Sequence, residues 1–192
     1  MSTQVETLTH AQMRFYDAPP VAGEILKAGV VSGLIGGLMM AVWAAMATLA
    51  MGLGPLEFPQ LIGATFRGAD ALLTPMGVTV AYGVLLHLVV SAGLGCLFAS
   101  MVQRGTPKGL AALGGVAFAL GVFVMMVFVL VPVVNPQLSH HIAMMPFTLL
   151  LMHMLYGACV GLAPMLRRNF ARGNELQRGA AEMRKVGPVA SR

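Results

Sequence analysis

Two histidines, His87 and His153, stand inside long uncharged runs of this 192-residue chain. Each lies nine residues past the start of an apolar stretch, at Val78 and Met144 respectively. In a helix that offset is about 13 Å, which is close to the middle of a bilayer. An ionisable side chain at such depth is expensive and reads as a functional group by default. The residues around each histidine are small: Gly83, Ser91 and Gly95 share its face every four positions in one run, and Gly157 and Gly161 do so in the other. Small residues a turn or two from an axial histidine leave room for a flat macrocycle, and two opposed imidazoles are the ligand set of a six-coordinate haem b. The same spacing has two other readings, and all three stay open. Small-xxx-small rows are the close-packing device of membrane helices, on which a histidine simply bonds a neighbouring carbonyl, Ser91 or Tyr156. A pair of intramembrane histidines can also line a proton or substrate path.

The histidine-and-glycine pattern resembles the bis-histidine arrangement of membrane cytochromes b over short parts of two helices. The second histidine pair of the two-haem members is absent. A second candidate cluster, His140, His141, Met144 and Met145, combines imidazole with soft thioether and so suits copper. Against it, adjacent histidines point apart on a helix, and methionine is also a flexible apolar filler, with 16 in the chain. Cys96 and Cys159 fall at different distances from their histidines and read as small packing residues, not as a disulfide. The chain has no G-x-S-x-G, H-E-x-x-H, phosphate-binding loop or paired carboxylates, so no pattern points to an enzyme.

The elements that must position these residues follow from where charge is missing. The chain is 57% hydrophobic and 10% charged, with mean hydropathy +0.80. A soluble domain carries about 25% charged residues, so a water-soluble globule is excluded, and so is a disordered chain. No charge occurs between Lys27 and Glu57, between Asp70 and Arg104, or between Lys108 and Arg167. A span needs about 20 apolar residues. The first two gaps therefore hold one helix each, and the third, broken by Val131-Pro132-Val133-Val134-Asn135-Pro136, holds two. The expected fold is an all-α membrane protein, a four-helix up-down bundle with spans near 28–53, 78–102, 109–131 and 143–166. A polar segment 1–27 precedes the bundle, and a basic tail 167–192 follows it. The first span reads as an uncleaved anchor. The stretch from Gln60 to Leu73 in the far loop 54–77 is amphipathic, which places it on the membrane surface.

With both termini on one side, that side carries Arg14, Lys27, Arg104, Lys108 and the seven basic residues from Arg167 to Arg192, whereas the other carries Arg67 alone. The excess of lysine and arginine marks the cytoplasmic face, so both termini and the 103–108 loop are expected there. The net charge of +5 is accounted for by this bias and by lipid headgroups, not by nucleic acid. The expected partners are the bilayer and either a second copy or another membrane subunit.

The chain also reads as a tandem duplication. His87-x-x-x-Ser91-Ala92-x-x-Gly95 matches His153-x-x-x-Gly157-Ala158-x-x-Gly161 at an offset of 66, Gly36-Gly37 matches Gly114-Gly115 at 78, and Pro59-Gln60-Leu61 matches Pro136-Gln137-Leu138 at 77. One deletion in the second far loop reconciles the offsets. Each repeat is then a two-helix hairpin, and the second and fourth spans run the same way on a diagonal.

Over residues 28–166 the chain resembles small uncharacterised four-span inner-membrane proteins of bacteria. These often end in a span reading His-x-x-Tyr-Gly-x-x-x-Gly, here His153, Tyr156, Gly157 and Gly161. The resemblance implies the four-helix fold and a bacterial inner-membrane location, and it implies no activity. Three functions are carried forward: a non-enzymatic membrane protein that associates through glycine seams, a haem-b electron-transfer subunit, and a small oligomeric transporter or channel.

Overall fold

The computed structural model describes residues 21–67 and 76–186, apart from a few individual side chains, among them His141 and Met144. Most of the N-terminal polar segment, the end of the first far loop and the last six residues lie outside it. Among the described residues the chain is helical without strands. The helices are α1 (Ala22–Ala50), α2 (Glu57–Arg67), α3 (Met76–Met101), α4 (Lys108–Met125), α5 (Val131–Val134), α6 (Pro136–Met144), α7 (Pro146–Val160) and α8 (Ala163–Val186). Four stretches are long and apolar enough to cross a membrane: Ala22–Ala50, Gly77–Met101, Lys108–Val134 and Pro146–Arg184.

The boundaries depart from the charge-gap expectation in three places, each with a local cause. Helix α1 begins at Ala22, six residues before the expected start. Glu24 sits in its first turn, where a carboxylate complements the positive end of the helix dipole. The expected break at Val131–Pro136 is present but falls at Asn135, so the third stretch runs to Val134 instead of ending at 131. Pro132 has no N–H and its ring crowds the preceding turn, and the backbone accommodates it through a π-helical turn at Met126–Leu130 that keeps α4 and α5 in one continuous rod. The fourth stretch is segmented, with breaks at Met145, before Pro146, and at Gly161–Leu162.

The antiparallel bundle is tight on three sides. Helix α1 packs along α3, α4 packs along α7, and the two hairpins join where α1 packs along α7. The fourth side is different: α3 and α4 meet through the rings of Phe98 and Phe118, with centroids 5.5 Å apart, instead of along a shared face. The distal end, opposite the one bearing Ala22, carries a further helix. There α2 packs on α3 and buries Phe58 and Leu61 in one cluster with Ala44, Val131, Leu138, Ile142, Met145, Leu149 and Met152. Up to Arg67 the amphipathic stretch is thus a wedge in the distal core, where protein covers the apolar face that its pattern assigns to a membrane surface; its residues 68–73 lie outside the described residues.

Asn135 locks the wedge. Its Oδ1 accepts from the Leu138 backbone N–H at 2.9 Å, capping α6, while its Nδ2 donates to Leu61 O at 2.8 Å and to Thr65 Oγ1 at 2.7 Å on α2. The side chain is buried, so these bonds exclude competition from water. Asn135→Ala is expected to lower unfolding free energy by about 2 kcal/mol. Asn135→Asp, which keeps the cap but not the donor, should fail to restore it. Circular dichroism during thermal unfolding in detergent measures both.

Candidate functional site

The two histidines are held differently. On α3, His87 is half-buried and its Nε2 donates to Gly37 O of α1 at 2.9 Å. On α7, His153 is buried and its Nδ1 donates to Leu149 O one turn earlier at 2.8 Å. Both acceptors are carbonyls, so the bonded nitrogen carries the hydrogen in each case. Phe123 of α4 sets its ring against that of His153, with centroids 5.2 Å apart at 67°.

The small residues that flank the histidines are occupied by neighbouring helices. A Cβ added at Gly29, Gly33 or Gly37 of α1 would come within 3.0 Å of Cys96, Ser91 or Ala92 of α3, and one at Gly95 would meet Gly29 and Gly33. In the other hairpin, a Cβ at Gly115 would meet Gly157, one at Gly157 would meet Gly115 and Val116, and one at Gly161 would meet Ala111 and Ala112, at 3.0 Å or less. Gly83 is pressed against the carbonyl of Pro59 on α2. At Gly37 the Ser91 side chain fills the space; at the other positions backbone touches backbone, and only the absence of a side chain allows it.

One node ties the hairpins together mid-bundle. Gly36 of α1 makes room for the Tyr156 ring, whose Cδ2 would lie 2.6 Å from an added Cβ. Passing through that gap, the Tyr156 hydroxyl donates to Ser91 O on α3 at 2.6 Å. Cys96 and Cys159 are free thiols, Cys96 packed against Gly29 and Cys159 against Gly36.

A haem between His87 and His153 would need a free nitrogen on each imidazole and a planar gap between them. His153 fits in part, since an Nδ1–H held by a carbonyl leaves Nε2 for a metal. The rest does not fit. The Nε2 of His87 is committed to Gly37, and Gly83, Ser91, Gly95, Gly157 and Gly161 supply contacts between helices where a macrocycle needs a gap. The copper set is dispersed as far as it is described. His140 is exposed and Met145 is buried in the distal apolar cluster, while the side chains of His141 and Met144 lie outside the described residues. Among the described residues no group of three or more His, Cys, Asp or Glu could hold a metal ion.

The proximal end, which bears Ala22 and the loop after α3, holds a charged cluster that sequence reasoning missed. Arg104 donates from Nε to Glu24 Oε2 at 2.9 Å and from Nη2 to the same oxygen, and both side chains are buried. Arg168 donates to Arg104 O at 2.5 Å. Arg167, 2% exposed, donates from Nη1 to Ala99 O at 3.2 Å and to Val102 O, capping the carbonyl end of α3. Charges at span edges are ordinarily assigned to water and headgroups. The signal was Glu24, a single acid beside a span start on a face dominated by cations.

No family model, curated protein or solved structure matches the chain.

The glycine contacts generate a paired test. Gly33→Ala and Gly157→Ala should each lower stability by about 2 kcal/mol through forced separation of the helices. Nothing lies within 4 Å of an added Cβ at Gly93. Gly93→Ala, which lies off the outward face of α4, should therefore be neutral or stabilising by up to about 1 kcal/mol. The readout is the thermal midpoint of helical circular dichroism.

Proposed function

We propose that the chain is a four-span protein of the bacterial inner membrane, built from two duplicated hairpins with both termini cytoplasmic, and that it acts by association and not by catalysis. The spans follow from four helices of sufficient length and apolarity. The orientation rests on eleven basic residues against one. The duplication is supported by equivalent contacts: Gly37 meets Ser91 where Gly115 meets Gly157, and Gly95 meets Gly33 where Gly161 meets Ala111, at the offsets of 78 and 66.

The observation that carries the associative reading is the unequal cover of the helices. The most apolar window of Pro146–Arg184 is 50% buried, and that of Lys108–Val134 only 11%. The glycines of the inner seams are consumed within the chain, whereas α4 turns Gly114, Ala117 and Gly121 outward among the exposed Leu110, Leu113 and Val124. Small residues between larger apolar ones on an outward face let a second helix approach closely. The occupant favoured is a second copy of the chain, joined α4 to α4.

Single cysteines introduced at Leu113, Ala117, Gly121 and Val124, in a background with Cys96→Ala and Cys159→Ala, test the reading in isolated membranes. Oxidative cross-linking is expected to give dimers at these positions with helical periodicity, and none at Leu38 or Val42 on α1. Equal cross-linking at both sets, or none at either, would overturn it.

A further inference from the structure

We infer that the buried guanidinium of Arg167 is a receptor for a phosphate group, which it grips with its Nε and Nη2 edge. The inference is independent of association through α4. Arg167 is 2% exposed, and its Nη1 is spent on Ala99 O and Val102 O at the end of α3. Among the described residues the buried Nε has no hydrogen-bond partner, and neither bond of the side chain uses Nη2. Those two nitrogens form the parallel fork with which an arginine takes two oxygens of one oxyanion. A buried donor without a partner is costly, so this edge is where a bound oxyanion gains most.

The surroundings select the ligand's charge. Val102 O and Arg104 O stand two residues apart, so Arg167 and Arg168, which bond one each, bring their guanidinia to the same end of α3. Arg104 is buried there against Glu24. Arg167 feels Arg104 as a like charge and Glu24 as an opposite one. Within this cluster three guanidinia face one carboxylate, an excess of positive charge where little water screens it. The carbonyl end of α3 offsets part of the excess, and an oxyanion offsets more. A phosphate fills the fork with two oxygens and still offers another to Arg168, whereas a carboxylate has none left. The Nε is covered, so the phosphate enters by moving the side chain above it. Basic pockets at the cytoplasmic ends of spans suit the headgroups of anionic lipids, and α3 ends here. Inorganic phosphate presents the same oxygens, and the two sources are separated by titration.

The full chain in dodecyl maltoside is titrated with short-chain phosphatidylglycerol, short-chain phosphatidylcholine or inorganic phosphate, and the thermal midpoint of helical circular dichroism is followed. Expected is a saturable rise with phosphatidylglycerol that phosphatidylcholine, whose choline the arginines repel, does not match. Arg167→Lys keeps the charge but has no fork, and should weaken half-saturation about tenfold. Arg168→Gln should weaken it severalfold, while Arg178→Gln, which removes the same charge from the exposed part of α8, leaves it unchanged. A rise with inorganic phosphate in the same order of variants supports the site and assigns it to free phosphate. If Arg167→Lys fails to fold, the contrast between Arg168→Gln and Arg178→Gln decides the matter. No rise with either anionic ligand would overturn the inference, as would an equal rise with phosphatidylcholine, which would make the acyl chains responsible. Equal weakening by Arg168→Gln and Arg178→Gln would also overturn it, because charge alone would then attract the ligand. A titration in detergent does not depend on the direction of the spans or on pairing of copies, so its failure is distinct from failure of the four-span and associative readings.

Discussion

Contact between bare backbones is the constraint on which this structure depends. Inside a bilayer lipid tails are as apolar as leucine, so burying leucine drives no association, and helices adhere by dispersion and hydrogen bonding at short range. Gly33 against Ser91 and Ala92, and Gly157 against Gly115 and Val116, hold the two helices of each hairpin in backbone contact. That proximity places Gly37 O within reach of His87 and opens the passage through which Tyr156 reaches Ser91. The histidine, serine and tyrosine bonds are therefore consequences of the seam before they are anything else.

Two hairpins so zipped still need joining, and polar groups do this at three levels. Asn135 ties α5 and α6 to α2 at the distal end, Tyr156 ties α7 to α3 in the middle, and Arg167 ties α8 to α3 at the proximal end. The Glu24–Arg104 pair adds the start of α1 to the proximal joint. A buried pair of this kind is weak evidence for added stability, but losing one partner strands the other charge, so it fixes the arrangement. The joints are not symmetric. Helix α2 packs on α3 at the distal end, the hairpins join along α1 and α7, and α4 is left as the least covered of the four long helices.

The long helices were legible because charge cannot enter hydrocarbon cheaply: the gaps after Lys27, Asp70 and Lys108 located the four helices that, among the described residues, are long and apolar enough to cross a membrane. Their ends were less so. Glu24 counts as a boundary when charge is taken as solvent-seeking, yet Arg104, distant in sequence, allows it to be buried. The place of α2 was hidden for a similar reason. Its amphipathic pattern fits a membrane surface and a protein groove equally, and the deciding contact, Gly63 and Pro59 against Thr79 and Gly83, joins two glycines with nothing in sequence to link them. For Gly83, Ser91, Gly95, Gly157 and Gly161 the sequence showed that something close must approach. It could not show whether that was a helix or a macrocycle, because both require the same missing side chains.

The reduced-minus-oxidised visible spectrum separates these two occupants most directly, taken on the purified protein after expression with ample haem, beside His87→Ala and His153→Ala. With helices filling the seams, the spectrum is flat in all three proteins. A sharp b-type α-band in the parent protein that disappears in both variants would contradict the account, because the glycines would then be clearing space for a haem between the hairpins.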